Sequence, residues 1–138
     1  IRDINQIINI IEPLEKEGIL LVRKNKNIDK DINYFYVIEH DHNIIGTVAL
    51  YQYEEMMEIA CFAIHDNYKN LGYGKKLLRF CEQEAINKNI KNLFILTTQS
   101  EHWFIENNFS LTDRKFIPDE RKKTYTVERN SKYFIKRL

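Results

Sequence analysis

The stretch His65-Asp66-Asn67-Tyr68-Lys69-Asn70-Leu71-Gly72-Tyr73-Gly74-Lys75-Lys76 decides how this sequence reads. An apolar, strand-like run, Met57 to Ile64, ends just before it, and the clearest helical pattern of the chain begins inside it. Only four glycines occur in 138 residues, Gly18, Gly46, Gly72 and Gly74, well under the usual share of about 7%. Two of them one residue apart point to a backbone requirement. Glycines between a strand and a helix let backbone N–H groups converge on one concavity, and the helix N-terminus adds a field that favours an anion. The stretch therefore predicts a phosphate or diphosphate site. It fails as a Walker A loop, because Lys69 stands where the first glycine is needed and Lys76 where a Ser or Thr is needed. It fails as a dinucleotide fingerprint, because Leu77 replaces the third glycine and the strands before it read as antiparallel.

Outward from this turn, residues 73–88 read as a helix with Leu77, Leu78, Cys81, Ala85 and Ile86 inward and Lys75, Lys76, Glu82 and Glu84 outward. Upstream, Tyr34 to Glu39 and Ile44 to Tyr53 flank Asp41-His42-Asn43, which predicts a hairpin, and a third strand over Met57 to Ile64 comes after Glu54-Glu55. Residues 3–17 read as an amphipathic helix on Ile4, Ile7, Ile8 and Ile11, capped by Asp3 and ended by Gly18, with Pro13 expected to kink or divide it. Residues 26–32 read as a short second helix. Downstream, 92–97 is a short buried strand, 100–107 a short helix, and 109–112, 124–129 and 132–136 are extended; the charged stretch 113–123 reads as a mobile loop. This order predicts an α/β (α+β) domain: one mixed, mainly antiparallel sheet flanked by helices.

The chain has 21 Lys and Arg against 20 Asp and Glu, a formal charge of +1. That balance argues against a dedicated nucleic-acid or membrane-surface binder. No apolar run approaches the ~18 residues of a membrane span. Cys61 and Cys81 lie in apolar stretches and read as reduced, buried thiols, which fits a cytoplasmic location rather than a disulfide framework. His65 and His102 have no partners at metal-ligand spacing, so no metal is expected and structural roles are the plainer reading of both.

Lys69-Asn70-Leu71-Gly72-Tyr73-Gly74 matches Q/R-x-x-G-x-G/A with Lys in the first place. That pattern resembles the diphosphate loop of GNAT acetyltransferases, which bind acetyl-CoA. Ala60 to His65 is placed as the strand that offers backbone N–H groups to the thioester in that fold, and Leu93 to Phe109 fits the later strand, helix and Phe. Four further segments are similar to one GNAT family, the acetyltransferase domain of N-acetylglutamate synthase: Pro13 to Leu20 with Arg23, Glu58 to His65, Leu93 to Phe104, and Tyr125 with Arg129, Ser131 and Lys132. The Thr97-Thr98-Gln99-Ser100-Glu101-His102-Trp103-Phe104 run is the most specific of these.

The resemblance implies acetyl-CoA as cosubstrate, held by Ala63, Ile64 and His65 and by Lys69, Asn70, Leu71, Gly72, Tyr73, Gly74 and Lys75, with L-glutamate as acceptor. Acetylating an amino acid requires its ammonium to lose a proton, and a carboxylate near the thioester can take it directly or through a water. Glu58 resembles the family's general base; its plainer reading is a strand carboxylate. A dicarboxylate calls for guanidinium partners, which pair with carboxylates bidentately. Arg23 and Arg129 match the family's glutamate-binding arginines, and Ser131 a hydroxyl beside them. Cys61 would lie near the acceptor through its backbone, not its sulfur. Phe104 occupies the place of the tyrosine acid of many GNAT enzymes, which leaves Ser100 or a water to protonate the departing thiolate; Tyr51 is another candidate, though a packed core tyrosine is its plainer reading. The chain departs from the pattern at Asp66 (usually Pro), Lys69, Asn70 (commonly Gly) and Asn108 (often Gly). Residues 1–138 are expected to form a single GNAT domain without the family's first strand and without an upstream amino-acid-kinase domain. Homo-oligomers are compatible with this reading. The rival expectations are a GNAT enzyme for another amino acid or a peptide amine, and a catalytically degenerate GNAT module.

Overall fold

The computed structural model describes residues 2–16, 32–97, 101–118 and 132–138. Helix α1 (Arg2–Lys16) is followed by a single turn at Ile32–Tyr34 and by strands β1 (Phe35–His40), β2 (Asn43–Tyr53) and β3 (Met56–Ile64). Helix α2 (Tyr73–Asn87), strand β4 (Asn92–Thr97), the short helix α3 (Glu101–Glu106), and strands β5 (Ser110–Thr112) and β6 (Lys132–Arg137) complete the order. The six strands form one sheet in the order β1-β2-β3-β4-β6-β5. All neighbours are antiparallel except β3 and β4. A parallel neighbour needs a crossover, and α2 supplies it.

The two sheet faces carry separate cores. Val48, Leu50, Met57, Ile59, Leu93, Ile95 and Phe134 meet Leu77, Leu78, Cys81 and Ala85 of α2 and Phe104 of α3 in one cluster. On the other face, Ile7 and Ile11 of α1 pack on Phe35, Val37 and Cys61, and Ile10 packs on Ile44 and Ala63. Further along that face Phe94, Leu96 and Ile117 form a third cluster with Tyr53 and Tyr133.

Several sequence expectations change. Helix α1 runs through Pro13 without a break: Pro13 sits in the last turn, exposed, and removes only one hydrogen bond there. Ile86 faces solvent at 52% exposure, because at 3.6 residues per turn it lies roughly 125° from the centre of the buried stripe. Glu82 is the reverse case. Expected outside, its side chain is only 13% exposed and pairs with Lys136 of β6 and with Arg79. The expected loop 113–123 begins with a turn at Arg114–Phe116 and buries Ile117; its remainder from 119 lies outside the described residues. So do Gly18, the segment 124–129 and residues 26–31 of the helix expected at 26–32, whose last residue, Ile32, opens the Ile32–Tyr34 turn.

Candidate active site

Strand β3 changes character part-way along. Its first three residues pair on both sides, with Tyr53, Gln52 and Tyr51 of β2 and with Asn92, Leu93 and Phe94 of β4. The β4 register stops at Glu58↔Phe94, while β4 runs on to Thr97 against β6. Beyond Glu58, the β4-facing edge of β3 has no registered strand neighbour among the described residues. Against β2 the register shifts between Thr47↔Ala63 and Ala49↔Ala60, so Cys61 and Phe62 together oppose Val48. Cys61 holds φ +53°. This is a β-bulge, a device that bends a strand and re-aims its side chains. The side-chain parity agrees: Met57 and Ile59 face the α2 core before the bulge, Phe62 and Ile64 after it.

Glu58 stands where the strands part. It is 4% exposed and lies between Tyr51 and Phe94 in the sheet. Tyr51 is half-buried with its ring 5.0 Å from that of Tyr34. Cys61 shares the α1-facing side of the sheet through its contact with the Ile7–Ile11 cluster. Neither cysteine is in a disulfide. Cys81, fully buried, has its thiol pushed up to about 12 by desolvation, which keeps it protonated and inert.

The turn after β3 carries the glycine pair and two left-handed residues. The His65 N–H donates to the Ile45 carbonyl at 2.6 Å, and His65 Nδ1 accepts from the Asn67 N–H at 3.2 Å. His65 therefore anchors the start of the turn. Asn70 (φ +63°) and Gly72 (φ +87°) both take left-handed conformations. Gly72 caps α2 with no side-chain hydrogen bond to the helix, so no side chain at the cap competes for the first-turn donors. A Cβ on Gly72 would meet nothing within 4 Å; it is φ that favours glycine there. Gly74 differs: a Cβ there would lie 3.1 Å from Trp103 Cζ2, so its role is close approach between α2 and α3. Lys69, Asn70, Leu71 and Lys75 are exposed around this turn.

Arg23, Ser100, Arg129 and Ser131 lie outside the described residues. The nearby residues Thr97 and Lys132 are register partners at one end of the sheet. Because β3 and β4 are parallel, that is the same end at which β3 carries its bulge. Among the described residues no cluster of His, Cys, Asp or Glu could hold a metal, and no helix is long and apolar enough to cross a membrane.

Residues 3–105 match the acetyltransferase (GNAT) family. The chain belongs to that family. It is 40% identical over 137 residues to an amino-acid acetyltransferase of Buchnera aphidicola subsp. Acyrthosiphon pisum (strain APS), covering 98% of this chain and 31% of the relative. It is similar to N-acetylglutamate synthase from Neisseria gonorrhoeae complexed with coenzyme A and N-acetyl-glutamate, with TM-score 0.92 and 36% identity over 99% of this chain and 33% of that one. The same synthase complexed with coenzyme A and L-arginine gives TM-score 0.86 and 34% identity, over 99% of this chain and 31% of that one. The chain thus spans about a third of the length of the curated relatives it matches.

The four departures from the family pattern now have physical accounts. Asn70 and Asn108, each where a glycine is common, both adopt positive φ, +63° and +74°, which asparagine tolerates better than most residues. Asp66 and Lys69 form an ion pair at 2.9 Å. The lysine holds the Asp66 carboxyl below its ordinary value, first by the hydrogen bond and then by its charge. The i,i+3 spacing of these two residues was the sequence signal for the pair. The bulge also left a signal, the change of apolar parity between Ile59 and Phe62. The Glu82–Lys136 pair left none, since its members are 54 residues apart.

Proposed function

We propose that this chain carries the catalytic site of an N-acetyltransferase that moves acetyl from acetyl-CoA to the α-amine of L-glutamate. The observation that carries the reading is the buried Glu58 carboxylate at the point where β3 and β4 separate, three residues before the Cys61 bulge. The fit to acetyl-CoA rests on two features: the left-handed Asn70 and Gly72 before α2 suit a diphosphate, and the splayed edge of β3 suits an amide-containing arm and a thioester.

In this reading Glu58 takes a proton from the glutamate ammonium, directly or through a water. The freed amine attacks the thioester carbonyl carbon, and backbone N–H groups of Ala60 to Ile64 stabilise the oxyanion. The C–N bond forms and the C–S bond breaks; the nitrogen releases its second proton, and Ser100 or a water passes a proton to the departing thiolate and is reprotonated by the one the nitrogen releases. Arg23 and Arg129 would hold the two carboxylates of the acceptor, with Ser131 beside them. The relatives' names and the ligands of the synthase from Neisseria gonorrhoeae support an amino-acid acceptor and coenzyme A. Initial rates with acetyl-CoA and a panel of amino acids test the choice: glutamate is expected to lead by kcat/KM. A flat panel, or a lead by another amine, would replace the acceptor. No acetyl-CoA binding in calorimetry would reduce the domain to a non-catalytic module.

A further inference from the structure

Trp103 touches both β3 and α2. Its ring centroid is 5.4 Å from that of Phe62, the second residue of the bulge, and its Cζ2 sits where a Cβ on Gly74 would be only 3.1 Å away. Phe62 lies on the strand that would hold the thioester, and Gly74 lies in the first turn of the helix behind the proposed anion cradle. One indole therefore spaces the two ends of the site. We propose that Trp103 is a positioning residue that sets the distance between the diphosphate cradle and the thioester strand, and so selects acyl-CoA as a whole over its separate halves. This rests on the acetyl-CoA reading above.

The short helix that carries the indole is itself held from behind. Asn107 Nδ2 donates to the Trp103 carbonyl at 2.8 Å, and the Asn107 carbonyl accepts from Lys136 Nζ at 3.0 Å. Lys136 also pairs with Glu82 of α2. Phe104 packs edge-on to the indole at 5.0 Å and to Phe62 at 5.8 Å. The short helix α3 is thus tied to α2 at one end by Lys136 and Glu82, and at the other by Trp103 against Gly74. Such a brace fixes orientation, and a ligand gripped at both ends gains affinity from a fixed spacing that neither half feels alone.

The test compares the nucleotide half of the cofactor, adenosine 3′-phosphate 5′-diphosphate, with intact acetyl-CoA by calorimetry, using the full-length protein. For Trp103→Ala the nucleotide half is expected to bind within about twofold of the unsubstituted protein, while acetyl-CoA binding weakens about tenfold or more. The KM for acetyl-CoA should rise, with the amino-acid KM unmoved. Equal losses for the nucleotide half and acetyl-CoA would make Trp103 a support of the cradle alone and overturn the proposal. Unchanged acetyl-CoA binding would overturn it too. Should Trp103→Ala not fold, Trp103→Phe combined with Gly74→Ala answers the same question. Gly74→Ala is expected to weaken acetyl-CoA binding with tryptophan at 103 and to be near neutral with phenylalanine there, whereas additive effects would sink the spacing role. An unsubstituted protein that fails to bind the nucleotide half would refute the cradle reading itself, which keeps the two failures apart.

Discussion

The two halves of β3 are one continuous strand with opposite duties. Met56 to Glu58 pair on both sides and are ordinary sheet interior. Cys61 to Ile64 carry the bulge, and β2 is their one registered strand neighbour among the described residues. A central strand normally has both edges satisfied by neighbours. Here, among the described residues, one edge has no strand partner over half its length, and in the proposed reading that edge faces the amide groups of the cofactor arm. Glu58 sits at the boundary, buried like the first half and chemically suited to the second. A site can thus be opened in a sheet by ending one pairing early, with the core behind it left intact.

The largest expected effect is at the boundary. Glu58→Gln keeps the shape and removes the proposed base, so kcat should fall by about 10² to 10⁴ with acetyl-CoA affinity preserved. Pre-steady-state and steady-state rates check this, and unchanged turnover would assign Glu58 to the sheet interior alone. Next comes the paired half. Met57, 1% exposed, should cost about 2–5 kcal/mol on substitution by alanine, read by urea unfolding, while kcat per folded molecule stays near normal. A large loss of kcat instead would mean that the two halves are not functionally separate.

The bulge should give a smaller, more diagnostic effect. Cys61→Val puts a β-branched residue at φ +53°, and should destabilise by about 1–3 kcal/mol. Cys81→Val, in the interior of α2 at 0% exposure, should cost less than about 1.5 kcal/mol. The pair of variants compares one chemical change at two backbones. Equal losses would mean that packing, not the left-handed conformation, is what makes position 61 special.

The elements themselves were legible in the sequence, because apolar periodicity reports burial directly: β3 and α2 emerge nearly to the residue. Glu58 was legible as a carboxylate on a central strand. The insertion of β6 between β4 and β5 was not, since nothing local in Asn92 to Thr97 says which distant strand pairs with it. The glycine pair was half legible. Gly72 serves the turn, as its neighbours suggest, but Gly74 answers to an indole 29 residues away, and contacts of that kind have no local signature. Glu82 misled for the same reason: a helix-flank glutamate reads as solvated until a buried lysine from another strand meets it.

The smallest effect concerns the exposed Asp66–Lys69 pair at the start of the turn. Lys69 holds the Asp66 carboxyl below its ordinary value of 3.8. A carboxyl whose folded value is lowered adds stability that is complete above the unfolded value and is lost as pH falls through the folded one. Asp66→Asn should therefore be slightly less stable than the unsubstituted protein at neutral pH, with the gap closing below 3.8 and shrinking in salt. Ligand affinity should move the other way. Asp66 offsets the charge of Lys69 beside the anion cradle, so Asp66→Asn should bind the nucleotide half about twofold more tightly at low salt. Thermal melts across pH and calorimetry at two ionic strengths read both signs. A variant that loses stability and affinity together would show that Asp66 shapes the turn rather than tuning its charge. That outcome would extend the paired, structural character of the first half of β3 past the bulge and into the cradle.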